Sequence, residues 1–346
     1  MAAQRYHHTG IRGLDNYHLS CCVNALLQAF AATAELTELL ERWNSAGVGT
    51  SSRNVPLQIK RVLTAMQSDR PQPVPHRDFL HCLDKNRIRL GTQHDADELF
   101  HFILNFTQQQ MDDQTVALDI QNLYKIPMES RLQCLACSAI QTCRNYLLSL
   151  PLYILHSDSS LGCIASFFAD QELRDDNCCF CAQCEVKTAF KRGVKLVSLP
   201  RILCFHLKRF RNHKGLTRKL DCSVTFPKAF DFSGNLREIF CAHSAENDST
   251  YTLYAVIVHS GTAVCGHYTV YIHHHGNQCW YYADDDHVRK VSWEDVQRTY
   301  GGGPYRNTAY MLMYRRSGNR PKKSHVFRLR MKIRCTQDHH GIHRNS

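Results

Sequence analysis

The chain of 346 residues is 43% hydrophobic and 21% charged, which excludes disorder along its whole length and is compatible with one large or two ordinary domains. Its net charge of +11 is uneven, because residues 315–346 contain ten lysines and arginines and one acidic residue. Seventeen cysteines would suit a disulfide framework in a short secreted chain, but the N-terminal residues lack the apolar stretch of a signal peptide. We therefore expect a protein of a reducing compartment, cytoplasmic and alternatively also nuclear, with no membrane span.

Apolar residues in the first half of the chain recur at the spacing of a helix with one buried face. This spacing is followed by Val23, Leu26, Leu27 and Phe30, and again by Leu99, Phe100, Ile103 and Leu104. The first half is therefore predicted to be mostly helical.

After about Leu147 the chain changes to short β-like runs, at residues 148–154, 194–197, 202–207, 251–258, 268–272 and 310–314. Residues 273–278 are predicted to form a turn between two strands. Ser292, with Asp295 three residues on, is predicted to cap a short helix. The fold class is therefore α+β, a helical part packed against an antiparallel sheet, with the active site in the cleft between them.

Four cysteines form two Cys-x-x-Cys pairs, Cys134 with Cys137 and Cys181 with Cys184. Each pair can grip one tetrahedral zinc ion from a tight knuckle, and the fold would have to bring the two pairs together. Such a site is structural, because it leaves no open position for catalysis. The alternative is a set of unrelated free thiols in a cysteine-rich chain.

The apolar helix that includes Val23 is preceded by two adjacent cysteines, Cys21 and Cys22. A thiol in the first turn of a helix is close to the positive end of the helix dipole and to free backbone N–H groups, which stabilise a thiolate. Inert cysteines also occur at helix N-termini, so a nucleophile needs in addition a base and a group that orients the base.

A base and an orienting carboxylate are predicted in the second half. His267 opens a β-like run, and Asp284 follows seventeen residues later, across a hairpin that returns the carboxylate to the side of the imidazole. Among the 21 histidines, this combination makes His267 the best candidate for a base.

Several ordered motifs of this chain resemble those of the ubiquitin-specific protease family of papain-like thiol isopeptidases. Residues 13–28 resemble the cysteine box of that family, residues 93–99 its glutamine-aspartate helix, and residues 203–210 its central strand. Residues 251–268 and 280–285 resemble its histidine box, and the two zinc pairs lie between these motifs. The resemblance runs from about Gly13 to Tyr314.

The resemblance implies a fold of fingers, palm and thumb, with a helical thumb, a β palm and a zinc ribbon in the fingers. The predicted domains are a short N-terminal extension at 1–12, a catalytic domain at 13–315 with the fingers including 134–184, and a disordered basic tail at 316–346. One structural zinc and no catalytic cofactor are expected.

The resemblance also implies the chemical roles of the site residues. Cys21 would attack the carbonyl of a C-terminal Gly-Gly joined to a lysine, His267 would move the proton, and Asp284 would hold the imidazole ring. Asn16 would donate to the oxyanion, and Asp285 is a reserve carboxylate.

The substrate's extended basic tail would bind to the glutamine-aspartate helix. The residues implied for this are Gln93, Asp95 and Glu98.

Three positions of the cysteine box depart from the pattern of the family. His18 replaces the usual glycine, Ser20 a threonine and Cys22 an aromatic residue. Since glycine accepts left-handed backbone more easily, His18 is expected to affect the catalytic rate and not the fold.

Within the family, the Cys-Cys-x-Asn box and residues 292–300 are most similar to one interferon-induced member, which removes a two-lobed ubiquitin-like modifier. The leading hypothesis is therefore a thiol isopeptidase that acts on this modifier and its protein conjugates and limits interferon signalling. The alternatives are a deubiquitinase that acts on ubiquitin conjugates, and a non-catalytic adaptor that binds an interferon receptor and its signalling proteins. We expect a monomer and no nucleic-acid partner, because no aromatic stacking pattern accompanies the basic tail.

Overall fold

The computed structural model describes residues 11–17, 19–45, 51–68, 73–89, 91–154, 158–232, 234–242, 250–304 and 306–317. Almost all of the predicted N-terminal extension and basic tail lies outside the described residues, and so does His18. The described residues through Arg316 form one compact unit. The predicted domain boundaries stay predictions.

The described part of the chain before residue 125 contains six helices, which form the thumb. They are α1 (Cys21–Ala31), α2 (Ala34–Arg42), α3 (Val55–Gln67), α4 (His76–Lys85), α5 (Ala96–Gln110) and α6 (Gln114–Tyr124). Side-chain caps explain where several of them begin: Asn54 accepts from the N–H of Leu57 in α3, and Asp95 accepts from two N–H groups of α5. The predicted helical first half is confirmed.

Strands dominate the described part of the second half. They are β1 (Ile126–Cys134), β2 (Ile140–Leu147), β3 (Leu150–Tyr153), β4 (Asp158–Ser159), β5 (Gln171–Leu173), β6 (Cys179–Cys181), β7 (Val186–Thr188), β8 (Phe190–Leu196), β9 (Ile202–Lys208), β10 (Phe210–His213), β11 (Leu216–Lys219), β12 (Val224–Thr225), β13 (Ala229–Asp231), β14 (Thr250–Gly261), β15 (Gly266–His274), β16 (Cys279–Asp284), β17 (His287–Val291) and β18 (Thr308–Arg316). Two helices lie among them, α7 (Ser160–Phe168) and α8 (Trp293–Gln297).

The palm is a sheet of eight strands, in the order β17-β16-β15-β14-β18-β9-β3, with β13 also paired to β14. Its pairs are antiparallel except that β3 runs parallel to β9. The fingers contain a sheet in the order β2-β1-β8-β5 and the small ribbon of β6 and β7. The α+β class with thumb, palm and fingers is confirmed.

Two details of the second half refine the sequence predictions. Ser292 and Asp295 form the predicted capping box, and α8 is followed by one 3-10 turn. The predicted turn at 273–278 begins later than expected, because β15 continues through His274. His273 pairs with Trp280 of β16 there, and their rings lie 5.1 Å apart, so ring packing extends the strand.

The palm sheet separates two hydrophobic cores. Because neighbouring side chains of a strand point to opposite faces, Ala255 and Ile257 of β14 face the thumb core, whereas Val256 and Val258 face the second core. The helix α1 lies in the thumb core against β15. No helix among the described residues has the length and apolar character needed to cross a bilayer.

Arg209 is a fully buried cation that joins four segments of the palm. Its guanidinium donates to the carbonyl oxygens of Ala309, Leu220, Cys222 and Tyr300 at 2.7–3.0 Å. These bonds fix the segment after β11 to the segment before β18.

Replacing Arg209 with alanine should lower the free energy of unfolding by about 3–5 kcal/mol, because it leaves a cavity and buried carbonyl groups without donors. Urea denaturation would measure the loss. Arg218→Ala, at an exposed position of β11, is the matched control and should cost less than about 0.5 kcal/mol. An Arg209→Ala protein as stable as this control would contradict the expectation.

Candidate active site

Cys21 is the first residue of α1, and its side chain is almost buried, with 5% of the residue exposed. The turn before it is held by Ser20, whose Oγ accepts from the N–H of Tyr17 at 2.8 Å and whose own N–H donates to Asn16 Oδ1 at 3.1 Å. Leu19, with φ of 67°, takes the left-handed backbone of this turn. The first N–H groups of a helix have no partner within the helix, so this turn directs the thiol and free donors to one point.

Cys22 lies one step further into α1 and is a different kind of thiol. Both cysteines belong to the thumb core, and burial raises the pKa of Cys22 well above its ordinary value. A thiol that stays protonated is a poor nucleophile. Together with the hydrogen bond between Cys21 and His267, this shift favours Cys21 over Cys22 as the nucleophile.

His267 and Asp284 lie side by side on neighbouring strands, as predicted. The Nε2 atom of His267 is 2.6 Å from Asp284 Oδ1, and the side chains are 39% and 40% exposed. Because the carboxylate binds Nε2, the other ring nitrogen, Nδ1, is the one available to the thiol of Cys21. The three residues thus form a line of nucleophile, base and orienting carboxylate.

The electrostatic environment favours the protonated form of His267. The pKa of His267 is raised to about 9, mainly by its hydrogen bond with Cys21. Burial opposes this shift, and the hydrogen bond with Asp284 adds to it. An imidazolium beside a thiolate is the ion pair that a thiol nucleophile requires.

Asp285 lies further from the imidazole and organises the turn before Cys21. It is 4.0 Å from His267 Nε2, and its carboxylate accepts from the side-chain amides of Asn16 and Asn24, each at 2.8 Å. The amide of Asn16 thus binds a carboxylate and keeps one further hydrogen for another acceptor.

Asn24 belongs to the site, although the sequence analysis used it only as part of the Cys-Cys-x-Asn box and not as a site residue. Besides Asp285, it donates to the carbonyl oxygens of Leu14 and Asp15 at 3.3 and 3.1 Å, so it fixes the segment before the nucleophile. The signal was available, because residues three apart in a helix share a face and Asn24 lies three residues after Cys21.

The three residues predicted to bind the substrate's tail lie at and before the start of α5. Asp95 caps this helix and accepts a hydrogen bond from Tyr310, while Glu98 is an exposed residue of its first turn. Gln93 has a contact that the sequence did not indicate: its Oε1 accepts from the N–H of Gly266 at 3.2 Å, next to His267.

Asp97 is a further residue of α5 that the sequence analysis did not select. Its carboxylate accepts from Ser149 Oγ at 2.6 Å and lies 2.8 Å from Nδ1 of the buried His206 in β9. These contacts fix the start of α5, and so Asp95 and Glu98, to the palm.

The four predicted zinc ligands are brought together in the fingers. The sulfur atoms of Cys134, Cys137, Cys181 and Cys184 all lie within 4.8 Å of one another, with Cys134 and Cys184 at 4.0 Å and Cys137 and Cys181 at 3.6 Å. Tetrahedral zinc with Zn–S bonds of about 2.3 Å requires sulfur atoms about 3.8 Å apart. The donor set therefore fits one structural zinc.

The pKa values of these thiols also favour a bound cation. The hydroxyl of Thr188 lowers the pKa of Cys134 to about 6, whereas hydrogen bonding with Cys137 and the other thiols raises the pKa of Cys184 to about 12. Four crowded sulfurs cannot all ionise without a cation, which a bound divalent ion would supply.

Comparison with known proteins defines the class of the chain. A family model described as ubiquitin carboxyl-terminal hydrolase matches residues 12–314. The chain therefore belongs to this family, the ubiquitin-specific proteases, which are cysteine proteases.

Two individual relatives show which member of the family the chain resembles. The chain is 35% identical to Ubl carboxyl-terminal hydrolase 18 of Homo sapiens over 318 residues, which cover 88% of this chain and 85% of that protein. It is also 35% identical to the protein of the same name from Mus musculus over 320 residues, covering 90% and 87%. The resemblance to ubiquitin-specific protease eighteen, the family member that the cysteine box favours, is thereby confirmed.

A solved structure supports the fold. The Ubp8/Sgf11/Sus1/Sgf73 deubiquitinase module of SAGA, bound to ubiquitin aldehyde, contains a chain that superposes with a TM-score of 0.76. The match covers 92% of this chain and 72% of that chain, at 21% identity. It confirms the predicted fold class.

Replacing Asp284 with asparagine should lower kcat by about a hundredfold or more, because the imidazole loses its charged partner. The same change should lower the pKa of His267. Since the imidazolium is lost as the pH rises through that pKa, the alkaline limb of the pH–rate profile should move from near pH 9 to lower pH. Rates of thiol-dependent hydrolysis between about pH 6 and 10 test this.

The matched control is Asp286→Asn, because Asp286 pairs with the exposed His287 and not with His267. It should leave the profile unchanged. An Asp284→Asn protein with the alkaline limb of the wild type would contradict the orienting role of this carboxylate.

Replacing Cys181 with serine should reduce the zinc content from about one ion per chain to nearly none and lower the melting temperature, because a structural zinc site stabilises the fold around it. Metal analysis of protein purified without chelator measures the content. Cys143→Ser is the control, since Cys143 is an exposed cysteine on β2 of the fingers. Folded wild-type protein without zinc would contradict the proposal.

Proposed function

We propose that the chain is a thiol-dependent isopeptidase that removes the two-lobed ubiquitin-like modifier of the interferon response from lysines of target proteins. The observation that carries this proposal is the line of Cys21, His267 and Asp284 in a chain similar to Ubl carboxyl-terminal hydrolase 18 over 88% of its length. The family supplies the chemistry, and the similarity within it supports the choice of modifier.

Acylation begins when Cys21, at the start of α1, and His267 form an ion pair. His267 takes the proton of the Cys21 thiol, and the thiolate attacks the carbonyl carbon of the modifier's last glycine. Asp284 keeps the ring in place through Nε2 and stabilises its positive charge. His267 then gives its proton to the lysine amine, which leaves as the C–N bond breaks.

The oxyanion of the tetrahedral intermediate would form near Asn16 and the first N–H groups of α1. Asn16 Nδ2 already donates one hydrogen to Asp285, and this bond orients the amide so that the second hydrogen can point at the oxyanion. Asp285 thus acts by positioning Asn16. A water activated by His267 completes the cycle by hydrolysing the thioester.

The substrate's tail would lie across the start of α5. Glu98 is exposed there and Asp95 is partly buried, so this end of the helix carries negative charge that suits a basic tail. Gln93 accepts from the N–H of Gly266, the residue before His267, and this contact supports a tail site close to the proposed base.

Ubiquitin is the second candidate substrate. The matching family model describes a ubiquitin carboxyl-terminal hydrolase, and the structural neighbour is bound to ubiquitin aldehyde. The surface of this protein that contacts the folded part of a modifier would determine which of the two modifiers it prefers.

Further features of the proposal follow from the similarity and from the sequence. We propose a monomer that contains one structural zinc, acts in the cytoplasm and alternatively also in the nucleus, and limits interferon signalling. Binding to an interferon receptor and its signalling proteins would be an adaptor role that does not need the thiol.

Propargyl-ended probes of the two-lobed modifier and of ubiquitin test the enzyme. We expect the first probe to label Cys21, as mapped by mass spectrometry, and to react at least about tenfold faster than the ubiquitin probe. Cys21→Ala should abolish labelling, and Cys22→Ala, the matched control, should retain it. Faster labelling by ubiquitin would favour the deubiquitinase, and an active Cys21→Ala protein would exclude this mechanism.

A further inference from the structure

Lys219 is a nearly buried lysine at the end of β11, with 7% of the residue exposed. Its ammonium donates to three backbone carbonyl oxygens, those of Arg306 at 2.7 Å, His259 at 2.8 Å and Gly261 at 3.3 Å. An ammonium carries three hydrogens, so these carbonyl groups use its whole donor capacity.

Two of these carbonyl groups flank the position opposite the proposed base. In the pairing of β14 with β15, Ser260 is the partner of His267, and Gly261 is the partner of Gly266. Lys219 binds the residues on both sides of Ser260. It therefore fixes the backbone of β14 at the position that pairs with His267 of β15.

The turn between β14 and β15 has little freedom of its own. Gly261 has a φ of 93°, and a Cβ atom there would lie 2.6 Å from the carbonyl oxygen of Cys265. The N–H of Thr262 donates to that same oxygen at 2.8 Å. Gln93 holds the far end of the turn at Gly266. Lys219 is thus the contact on the palm side that sets where this tight turn begins.

The neighbouring charged groups do not make Lys219 part of an ordinary buried ion pair. Asp221 lies 3.6 Å from the ammonium but is 42% exposed at its side chain, and Arg209 and Arg306 are like charges. Burial lowers the pKa of Lys219 to about 8. Burial of this cation costs free energy, and the carbonyl groups that compensate for it belong to the end of β14 and to Arg306.

His259 is a possible competitor for the role of base, and the same environment excludes it. Burial lowers the pKa of His259 to about 4, and the charge of Lys219 adds to this shift. Its ring packs against those of Phe210 and Tyr268 at 5.0 and 4.9 Å. His259 is therefore a neutral packing residue behind the site.

We propose that Lys219 is a positioning residue for His267: it holds the end of β14 so that the imidazole meets the Cys21 thiol in reactive geometry. This inference rests on the proposed role of His267 as the base. It adds a residue that lies 48 positions before that histidine and acts through backbone carbonyl groups alone.

The test is the pH profile of Cys21 alkylation by iodoacetamide, with mass mapping in a Cys22→Ala background. This readout reports the thiol–imidazole pair without any modifier or isopeptide. We expect Lys219→Met to move the profile towards that of His267→Ala. With a fluorogenic modifier substrate, kcat should fall at least about tenfold while KM changes less than about twofold.

The matched control is Lys60→Met, because Lys60 of α3 also donates to a backbone carbonyl group, that of Trp43, within the thumb. It should keep the wild-type alkylation profile and kcat. A folded Lys219→Met protein with the profile of this control would overturn the proposal, even if its melting temperature is lower.

Lys219→Arg keeps the charge and covers the case in which Lys219→Met does not fold. A guanidinium is larger than an ammonium and holds its donors in one plane, so it should not reproduce the positions of all three carbonyl groups, and an intermediate profile is expected. A wild-type profile and kcat for Lys219→Arg, beside an unfolded Lys219→Met, would overturn the proposal. If the wild type cleaves neither modifier while the alkylation profile still depends on His267 and Lys219, the proposed function fails and the positioning role stands.

Discussion

The packing of α1 against the palm strand β15 is the contact on which the site depends. It joins a thiol at the start of a helix to an imidazole at the start of a strand, across 246 residues of sequence. Neither element makes a nucleophile alone: the helix provides free N–H donors, and the strand provides the base with its carboxylate. The two faces of the palm sheet are each covered by a core, which gives this contact a rigid support.

A second layer of polar contacts then sets distances that packing alone leaves open. Asp285 joins Asn16 to Asn24, Gln93 joins the thumb to Gly266, and Lys219 holds the far side of the same turn. In each of these contacts one partner is a backbone group or a side-chain amide. None of them is an ion pair between long, exposed side chains. Such contacts act at short range and resist screening by salt, which suits a site that must hold ångström-scale geometry.

Much of this arrangement could be predicted from the sequence, because the informative patterns were local. Helical spacing identified α1, a hairpin-length interval placed Asp284 beside His267, and two short cysteine pairs identified the cluster in the fingers. Asn24 was missed although its spacing from Cys21 was visible. Lys219 could not have been found, since its partners are carbonyl groups, which every residue has, and only the folded chain shows which ones it binds.

The order of strands in the palm has a consequence for how the protein is made. β18 lies in the middle of the palm sheet, between β14 and β9, so the palm stays in two parts until residues 308–316 have been synthesised. A chain that stops before residue 308 therefore carries Cys21, His267 and Asp284, but the two parts of its palm sheet are not joined.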